Sequence, residues 1–252
     1  MNLPFENCSV DRVVVFGSTG LVGKAVCLEA QSAGYHVIGL SRTTCQNCSE
    51  SIQIDFFDFN HLAEVTSEIL ARDNLPKAFV FCHRSRISAN VCQADALLQS
   101  TAVDIYPYLA LQAGLINSNR KGAVNIVTVT SNAGFRYAQD VGYSYHITKH
   151  AQVAASIGLS LVPSSLDIFS NIVSFGEAID NSIQDHDLLH RKLFAGLSRC
   201  ALGKAVPSID NIAKAVVMLC KASSFGVCGQ TLTIDSGLSI LTQESLVRLF
   251  TN

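Results

Sequence analysis

The segment at 12–42, RVVVFGSTGLVGKAVCLEAQSAGYHVIGLSR, constrains the fold of this 252-residue chain more than any other. It begins with an apolar, β-branched run at 12–16, which is typical of a strand buried on both faces of a parallel sheet. A glycine-rich turn follows, and apolar residues then recur at helical spacing as far as Gly34, a typical helix stop. A second apolar run occupies 36–40. The segment therefore predicts a strand–turn–helix–strand unit with two parallel strands.

The same alternation continues along the rest of the chain. Further strands are predicted at 52–54, 77–82, 123–129, 166–173 and 231–234, and further helices at 60–71, 94–116, 144–161 and 208–220. Pro107 predicts a kink in one helix, and 177–205 is predicted to be irregular. The pattern indicates an α/β fold: a Rossmann-like, doubly wound, seven-stranded parallel sheet flanked by helices. Without a linker or repeat, 1–252 is expected to form a single domain.

Composition excludes several classes of protein. Apolar residues make up 48% of the chain and charged residues 15%, which argues against disorder. The formal net charge is −2 and no basic run occurs, so we expect no nucleic-acid partner. No apolar run approaches the roughly 20 residues of a membrane helix, so no membrane contact is expected. The opening MNLPFENCSV lacks a signal-peptide pattern, and we therefore expect a cytoplasmic protein.

Nine cysteines occur in the chain, and without a secretion signal reduced thiols are expected. Cys45 and Cys48 form one CxxC motif, but a structural zinc site would need a second pair or histidines at matching spacing. We therefore predict no metal site and interpret the pair as free thiols in a solvent-exposed loop. A metal or redox role for the pair is the alternative.

The glycine turn is a candidate phosphate-binding loop. Backbone N–H groups at a helix N-terminus bind phosphate, and glycine lets a pyrophosphate come close. The turn follows a strand and opens a helix, which is the context that supports dinucleotide binding over a tight turn without a ligand. The candidate residues are Gly17, Ser18, Thr19, Gly20, Leu21, Val22 and Gly23.

The second strand ends in Ser41 and Arg42, where an acidic residue would bind the adenine ribose of NAD and repel the extra phosphate of NADP. Serine stands there instead, and a guanidinium, which binds phosphate in a fork geometry, follows it. We predict a preference for NADP(H), with NAD(H) possible. The alternative is an exposed arginine at a strand end.

The stretch YSYHITKH at 143–150 contains a candidate proton donor. Tyr145 and Lys149 are four residues apart, so they share one helix face, whereas Tyr143 points in a different direction. A neighbouring ammonium favours the phenolate form of a tyrosine and makes the phenol a better acid. The spacing thus favours Tyr145 as the residue that moves a proton.

Taken together, these residues resemble the short-chain dehydrogenase/reductase family over essentially the whole chain. The glycine turn fits its nucleotide loop, and Tyr145 and Lys149 match its YxxxK motif. Asp55 in QIDFFD resembles the acid that binds adenine, and Ser131 in VTVTSNAG resembles the catalytic serine. Two further stretches also resemble segments of the family, namely NIVSFG at 171–176, which ends in Gly176, and GQTLTIDSG at 229–237.

The resemblance implies a reaction. NADPH would deliver a hydride to the carbonyl carbon of a small-molecule ketone, or the reverse would occur with an alcohol. Ser131 would hydrogen-bond the carbonyl oxygen, Tyr145 would donate the proton, and Lys149 would also hold the nicotinamide ribose. The substrate would lie under the loop at about 177–200, lined by Tyr143. The resemblance also implies a homodimer or homotetramer that packs through the helices at 94–116 and 144–161, while His146 and His150 are interpreted as helix-face residues.

Several positions depart from the family pattern. The family's NNAG segment is replaced by Cys82, His83, Arg84 and Ser85, next to the expected cofactor ribose. Either Arg84, or Arg86 beyond it, receives an anionic group of the substrate or a cofactor phosphate, or His83 replaces an asparagine hydrogen bond and the arginines face solvent. Asp104 replaces the helix asparagine that, in the family, helps to anchor a water near the lysine. Its carboxylate could accept a hydrogen bond from that water and could pair with Lys149.

These departures define two alternative functions. Asp104, the altered segment at 82–85 and Asp180, which replaces a threonine near the nicotinamide, suggest a degenerate dinucleotide-binding sensor or non-catalytic subunit. The GxxGxxG spacing of the turn is more usual in the branch of the family that acts on nucleotide sugars, which suggests an epimerase or dehydratase, although the chain is too short for that branch's substrate domain. The intact Ser131, Tyr145 and Lys149 favour the oxidoreductase hypothesis.

Overall fold

A computed structural model describes residues 10–85, 93–137, 141–181, 183 and 187–242. The strands are β1 (Arg12–Phe16), β2 (His36–Ser41), β3 (Glu50–Gln53), β4 (Ala78–Phe81), β5 (Gly122–Ser131), β6 (Leu166–Phe175) and β7 (Thr231–Ile234). The helices are α1 (Leu21–Ser32), α2 (Phe59–Ala71), α3 (Gln93–Asn117), α4 (Tyr143–Leu159), α5 (Leu188–Cys200) and α6 (Ile209–Leu219). Each strand lies within two residues of its predicted bounds.

The seven strands form one parallel sheet in the order β3-β2-β1-β4-β5-β6-β7, which confirms the predicted fold class. The chain moves outward from β1 to β3 and then returns to place β4 on the other side of β1. In such sheets ligands bind at this reversal, beyond the carboxyl ends of the strands. At that edge Phe16 of β1 pairs with Phe81 of β4, and Ser131 of β5 pairs with Phe175 of β6.

Helices cover both faces of the sheet, and β1 shows why its sequence is apolar throughout. Val13 and Val15 belong to one core cluster, which includes residues of α1 and α6. Val14 and Phe16 belong to a second cluster, which includes residues of α2 and α3. Successive side chains of a strand point to opposite faces, so burial on both faces requires an uninterrupted apolar run.

One local prediction is wrong. The stretch predicted to be irregular contains α5, in which the Asp187 side chain accepts a hydrogen bond from the His190 N–H and so caps the helix. Only Cys200 of this helix is buried, so α5 has no core-facing apolar stripe that the sequence could have revealed. Pro107 lies inside α3, and the kink expected there stays a prediction.

The interpretation of the CxxC pair is wrong only in its solvent exposure, since both thiols are free and lie in a loop. Cys45 is buried rather than exposed to solvent, and Cys48 is only partly exposed. Cys27 of α1 joins them, so that three thiol sulfurs lie within 4.8 Å of one another. The sequence does not show this cluster, because Cys27 approaches the pair only through the packing of α1 beside β2.

No helix in the described part of the chain has both the length and the apolar character that crossing a bilayer requires.

Candidate active site

The glycine turn between β1 and α1 is shaped by a close approach to the loop after β4. Gly17 has a φ of +83°, and a Cβ there would lie 2.7 Å from the Cα and N atoms of His83. Its N–H donates to the Leu40 carbonyl oxygen of β2 at 2.8 Å, which fixes the turn against the sheet. A side chain at this position would therefore be strained and obstructed. The turn ends at Gly20, the N-cap of α1, where unpaired backbone N–H groups suit a phosphate.

The hydroxyl groups of Ser18 and Ser41 hold the turn to the end of β2. Both side chains are buried, and their Oγ atoms are 3.0 Å apart. Ser41 Oγ also donates to the Thr43 carbonyl oxygen at 2.8 Å. The Ser41 hydroxyl proton is thus committed within the protein, and this serine positions the residue that follows it, Arg42.

Arg42 and Asp55, both predicted to bind cofactor, lie together at the sheet edge. They line one surface pocket, and both side chains are exposed. The other lining residues are Gln53, Ile54 and His61. Asp55 Oδ1 accepts from the Phe57 N–H at 3.1 Å, which holds the carboxylate in place. The pocket thus offers a guanidinium for a phosphate and a carboxylate for a hydrogen-bond donor.

The loop after β4 contains a buried histidine. His83 Nε2 lies 3.1 Å from the Asp104 carbonyl oxygen of α3. Burial lowers the pKa of His83 to about 4, so the imidazole is neutral at physiological pH and donates to this carbonyl. Arg84, by contrast, is exposed. This arrangement matches the alternative in which His83 supplies a buried hydrogen bond and Arg84 faces solvent; Arg86 lies outside the described residues.

Acidification should destabilise the protein through His83. Its pKa is about 4 in the folded state against 6.5 ordinarily, so the unfolded state binds more protons between these values. The free energy of unfolding should fall by about 3 kcal/mol from this group between about pH 7 and about pH 4. Urea unfolding at both pH values should show a smaller pH dependence for His83→Asn, which retains a donor for the carbonyl. Equal pH dependence in the two proteins would contradict the assignment.

Asp104 binds the loop after β4 instead of the lysine. Its carboxylate is fully buried, with Oδ1 accepting from the Ser85 N–H at 2.7 Å and Oδ2 from the Ser85 hydroxyl at 3.2 Å. Lys149 Nζ donates to Gln152 Oε1 at 2.7 Å. Within the described ranges, Asp104 and Lys149 do not form an ion pair. The suggested pairing is therefore not formed, because Ser85 and Gln152 supply partners to the two groups separately.

Ser131, Tyr145 and Lys149 come from two adjacent elements. Ser131 ends β5, and its Oγ accepts from the Ala133 N–H at 3.2 Å. Tyr145 is half-buried in the first turn of α4, and the Nζ of the buried Lys149 lies 5.4 Å from the centroid of its ring. Burial lowers the pKa of Lys149 to about 8, although the negative charge of Asp104 opposes this effect. The ammonium form therefore predominates near neutral pH and stabilises negative charge on the neighbouring phenol.

Other predicted residues differ in their surroundings. Tyr143 is 70% exposed, which fits a residue at the mouth of a site. His150 is exposed, but His146 is buried, with Nδ1 3.1 Å from the Ala133 carbonyl oxygen, so His146 contacts the segment after β5 and is not a surface residue of the helix. Gly176 directly follows β6, and a Cβ there would lie 3.3 Å from Asn132 Nδ2.

Sequence reasoning missed Gln152 and Asn132. Gln152 is three residues after Lys149 on the same helix, a spacing that could have identified it. Asn132 Oδ1 accepts from the Ser174 hydroxyl at 2.7 Å, which ties the segment after β5 to β6. That contact depends on the pairing of the two strands and has no local signal in the sequence.

Gln152 should set the pH dependence of any reaction that needs the Lys149 ammonium. Gln152→Met removes a hydrogen bond to a charged group, which is worth about 1.5–3 kcal/mol. The alkaline limb of the pH–activity profile should then move to lower pH by about one unit or more. Gln152→Glu is the matched control, because a carboxylate stabilises the ammonium and should move the limb to higher pH. Identical profiles for both variants and the wild type would contradict this role.

Comparison with known proteins gives one family model and many similar structures. The family model described as enoyl-(acyl carrier protein) reductase matches residues 60–239. No curated protein sequence matches the chain.

Solved structures share the fold at low sequence identity. A gluconate 5-dehydrogenase from Burkholderia cenocepacia, in complex with NADP and tartrate, is 16% identical with a TM-score of 0.73, over 92% of this chain and 96% of that one. A glucose/ribitol dehydrogenase of the short-chain type from Brucella melitensis is 20% identical with a TM-score of 0.72, over 90% and 96%. A short-chain dehydrogenase from Leptospira borgpetersenii with bound NAD+ is 16% identical with a TM-score of 0.71, over 92% and 93%.

Proposed function

Because the chain belongs to the short-chain dehydrogenase/reductase family, and is thus an enzyme of NAD(P)-dependent oxidoreduction, we propose that it interconverts a small ketone and its secondary alcohol with NADP(H). The observation that carries this proposal is the buried Lys149 beside Tyr145 on α4, next to the strand that ends in Ser131. Burying an ammonium group costs free energy, and proton transfer with the adjacent phenol is a function that accounts for this cost.

The chain's own residues fit a dinucleotide. The glycine turn lies at the N-terminus of α1, which suits the pyrophosphate. The pocket of Arg42 and Asp55 suits the adenosine end, with the guanidinium accounting for a preference for NADP over NAD. When bound, the dinucleotide supplies or accepts the hydride. Thr19, Leu21, Val22, Cys82 and Gly176 complete the proposed cofactor surface.

Each side chain has a defined part in the proposed reaction. Ser131 Oγ donates a hydrogen bond to the substrate oxygen, and Tyr145 gives that oxygen its proton as negative charge develops. Lys149 stabilises the resulting phenolate and reaches the nicotinamide ribose. Asp104 acts indirectly, since it fixes the loop after β4 through Ser85.

We propose that the substrate lies beneath the segment 177–187 and α5. The exposed fractions of Leu188 and Leu189 are 68% and 75%, which gives α5 an apolar surface able to cover a bound molecule. Asp185 and His186 of this segment lie outside the described residues.

We also propose that the protein assembles as a homodimer or homotetramer through α3 and α4. Several apolar side chains on these helices are exposed, and burial against a second copy would remove them from water. They are Leu98, Leu109, Ile116 and Ile157.

A panel of ketones and sugars tests the proposed reaction. Purified protein should consume NADPH with at least one ketone, as followed by the loss of NADPH absorbance. Ser131→Ala should slow this consumption about 10²–10³-fold while the protein remains folded, since it removes a donor to the developing oxyanion. Consumption that is unaffected by the substitution would contradict the proposed site.

A further inference from the structure

The three thiols of Cys27, Cys45 and Cys48 form a cluster between α1, β2 and the loop that precedes β3. Their sulfur atoms lie within 4.8 Å of one another, and those of Cys27 and Cys48 are 3.4 Å apart. No step of the proposed reaction uses them.

The packing around this cluster leaves room for the sulfur of Cys48. A Cβ on Gly39 of β2 would collide with Cys48 Sγ, so the absence of a side chain there creates the space. The thiol of Cys45 donates a hydrogen bond to the Ser18 carbonyl oxygen, with Sγ 3.4 Å from that oxygen. Cys27 and Cys45 are buried in the core cluster that includes Val13 and Val15, whereas Cys48 is partly exposed.

The three thiols differ in their protonation. The hydrogen bond between the Cys48 and Cys27 sulfurs lowers the pKa of Cys48 to about 7. The same hydrogen bond, followed by burial, raises the pKa of Cys27. Burial is also the main cause that raises the pKa of Cys45. The cluster therefore combines one partly exposed cysteine that ionises near neutral pH with two buried thiols that keep their protons.

We propose that Cys48 is a site of oxidation by hydroperoxides and that it forms a disulfide with Cys27. The proposal is independent of the proposed oxidoreductase function, because it rests on the cluster alone. An accessible thiolate beside a second thiol is the usual arrangement of a redox-sensitive cysteine pair.

The chemistry balances in two steps. The Cys48 thiolate attacks the hydroperoxide, the O–O bond breaks, the sulfur gains the oxygen as a sulfenic acid, and the displaced alkoxide or hydroxide takes a proton from water. The sulfur of Cys27 then attacks the sulfenic sulfur, the S–O bond breaks, and the Cys27 proton leaves in a molecule of water. The sulfurs must approach from 3.4 Å to about 2.05 Å, a movement that the turn and bend containing Cys48 can supply.

A metal would use the same sulfurs in a different way. Binding a soft cation requires all three thiols to lose their protons. Two of them lie in an apolar core that favours the protonated form. Disulfide formation needs only one thiolate, so the observed environment favours it over a metal site.

Peroxide treatment of the reduced full-length protein tests the proposal. After brief exposure to an equimolar amount of hydrogen peroxide, free thiols are alkylated and the digest is analysed by mass spectrometry. A peptide linked between Cys27 and Cys48 should be the first product. Cys228 is the internal reference in the wild type, because it is also partly exposed but its sulfur contacts oxygen atoms, such as Ser160 Oγ at 3.6 Å. Faster oxidation of Cys228 than of Cys48, or a disulfide that joins only Cys45 and Cys48, would overturn the proposal.

Variants resolve the two steps. Cys27→Ala should leave a sulfenic acid on Cys48 that dimedone traps, whereas Cys48→Ser should abolish the disulfide and slow peroxide consumption at least tenfold. Cys45→Ser should still form the disulfide, and Cys228→Ser should behave like the wild type. The measurement on the wild type decides the question even where the buried substitution at Cys27 prevents folding.

Discussion

Replacing Tyr145 with phenylalanine is expected to reduce turnover of a ketone substrate by about 10²–10⁴-fold, because the substitution removes the hydroxyl that supplies the proton. The ring is retained, so its packing over Lys149 Nζ, 5.4 Å from the centroid, should persist. Affinity for NADPH should change little, since no phosphate contact is altered. Steady-state kinetics and cofactor titration on the same preparation measure both quantities.

Tyr35→Phe is the matched control for this substitution. Tyr35 directly precedes β2, so it lies at the amino ends of the strands, at the opposite edge of the sheet from Ser131, and loss of its hydroxyl should leave turnover within about twofold of the wild type. Equal losses in the two variants would contradict the assignment of Tyr145. A protein that binds NADPH but shows the same activity with and without the Tyr145 hydroxyl would instead fit the alternative of a dinucleotide-binding sensor.

Replacing Arg42 with alanine is expected to weaken NADPH binding about 10–100-fold, because a guanidinium–phosphate contact contributes about 1.5–3 kcal/mol. Affinity for NADH should remain nearly the same, since NADH lacks the phosphate that the guanidinium would bind. The exposed position of Arg42 in a pocket with Asp55 makes direct contact with the adenosine end possible.

Lys214→Ala is the control for the loss of one positive charge. Lys214 is an exposed residue of α6. This helix packs against α1, and Lys214 is not among the residues that line the pocket of Arg42. It should reduce affinity for both cofactors equally and slightly, through long-range charge alone. A parallel loss of NADH affinity in Arg42→Ala would show that this arginine does not discriminate between the two cofactors.

The sheet can be predicted from the sequence because each strand has a local signal. The run at Arg12–Phe16 is apolar at every position, since Val13 and Val14 face different cores, and this pattern specifies a doubly covered strand. The glycine turn and the spacing of Tyr145 and Lys149 are equally local. In contrast, α5 has a capping residue, Asp187, but no buried stripe, so the periodicity that identifies core-facing helices is missing.

Details of the site that join distant segments could not be predicted. The hydrogen bond between His83 and the Asp104 carbonyl joins residues 21 positions apart, and its existence depends on α3 packing beside β4. The bond from Ser85 to the Asp104 carboxylate has the same origin, and it explains why the expected contact of Asp104 with Lys149 does not form. The thiol cluster requires α1 to lie against β2. Such contacts follow from tertiary packing, which a single sequence does not show directly.

The measurement that tests the central claim most directly is calorimetric titration of the purified protein with NADPH and, separately, with NADH. The proposed site at the glycine turn and Arg42 predicts tight binding of NADPH and binding of NADH that is about 10–100-fold weaker. Equal affinities would remove the NADP preference while leaving a dinucleotide site in place. Absence of heat with either cofactor, from protein shown to be folded, would contradict the proposed oxidoreductase function.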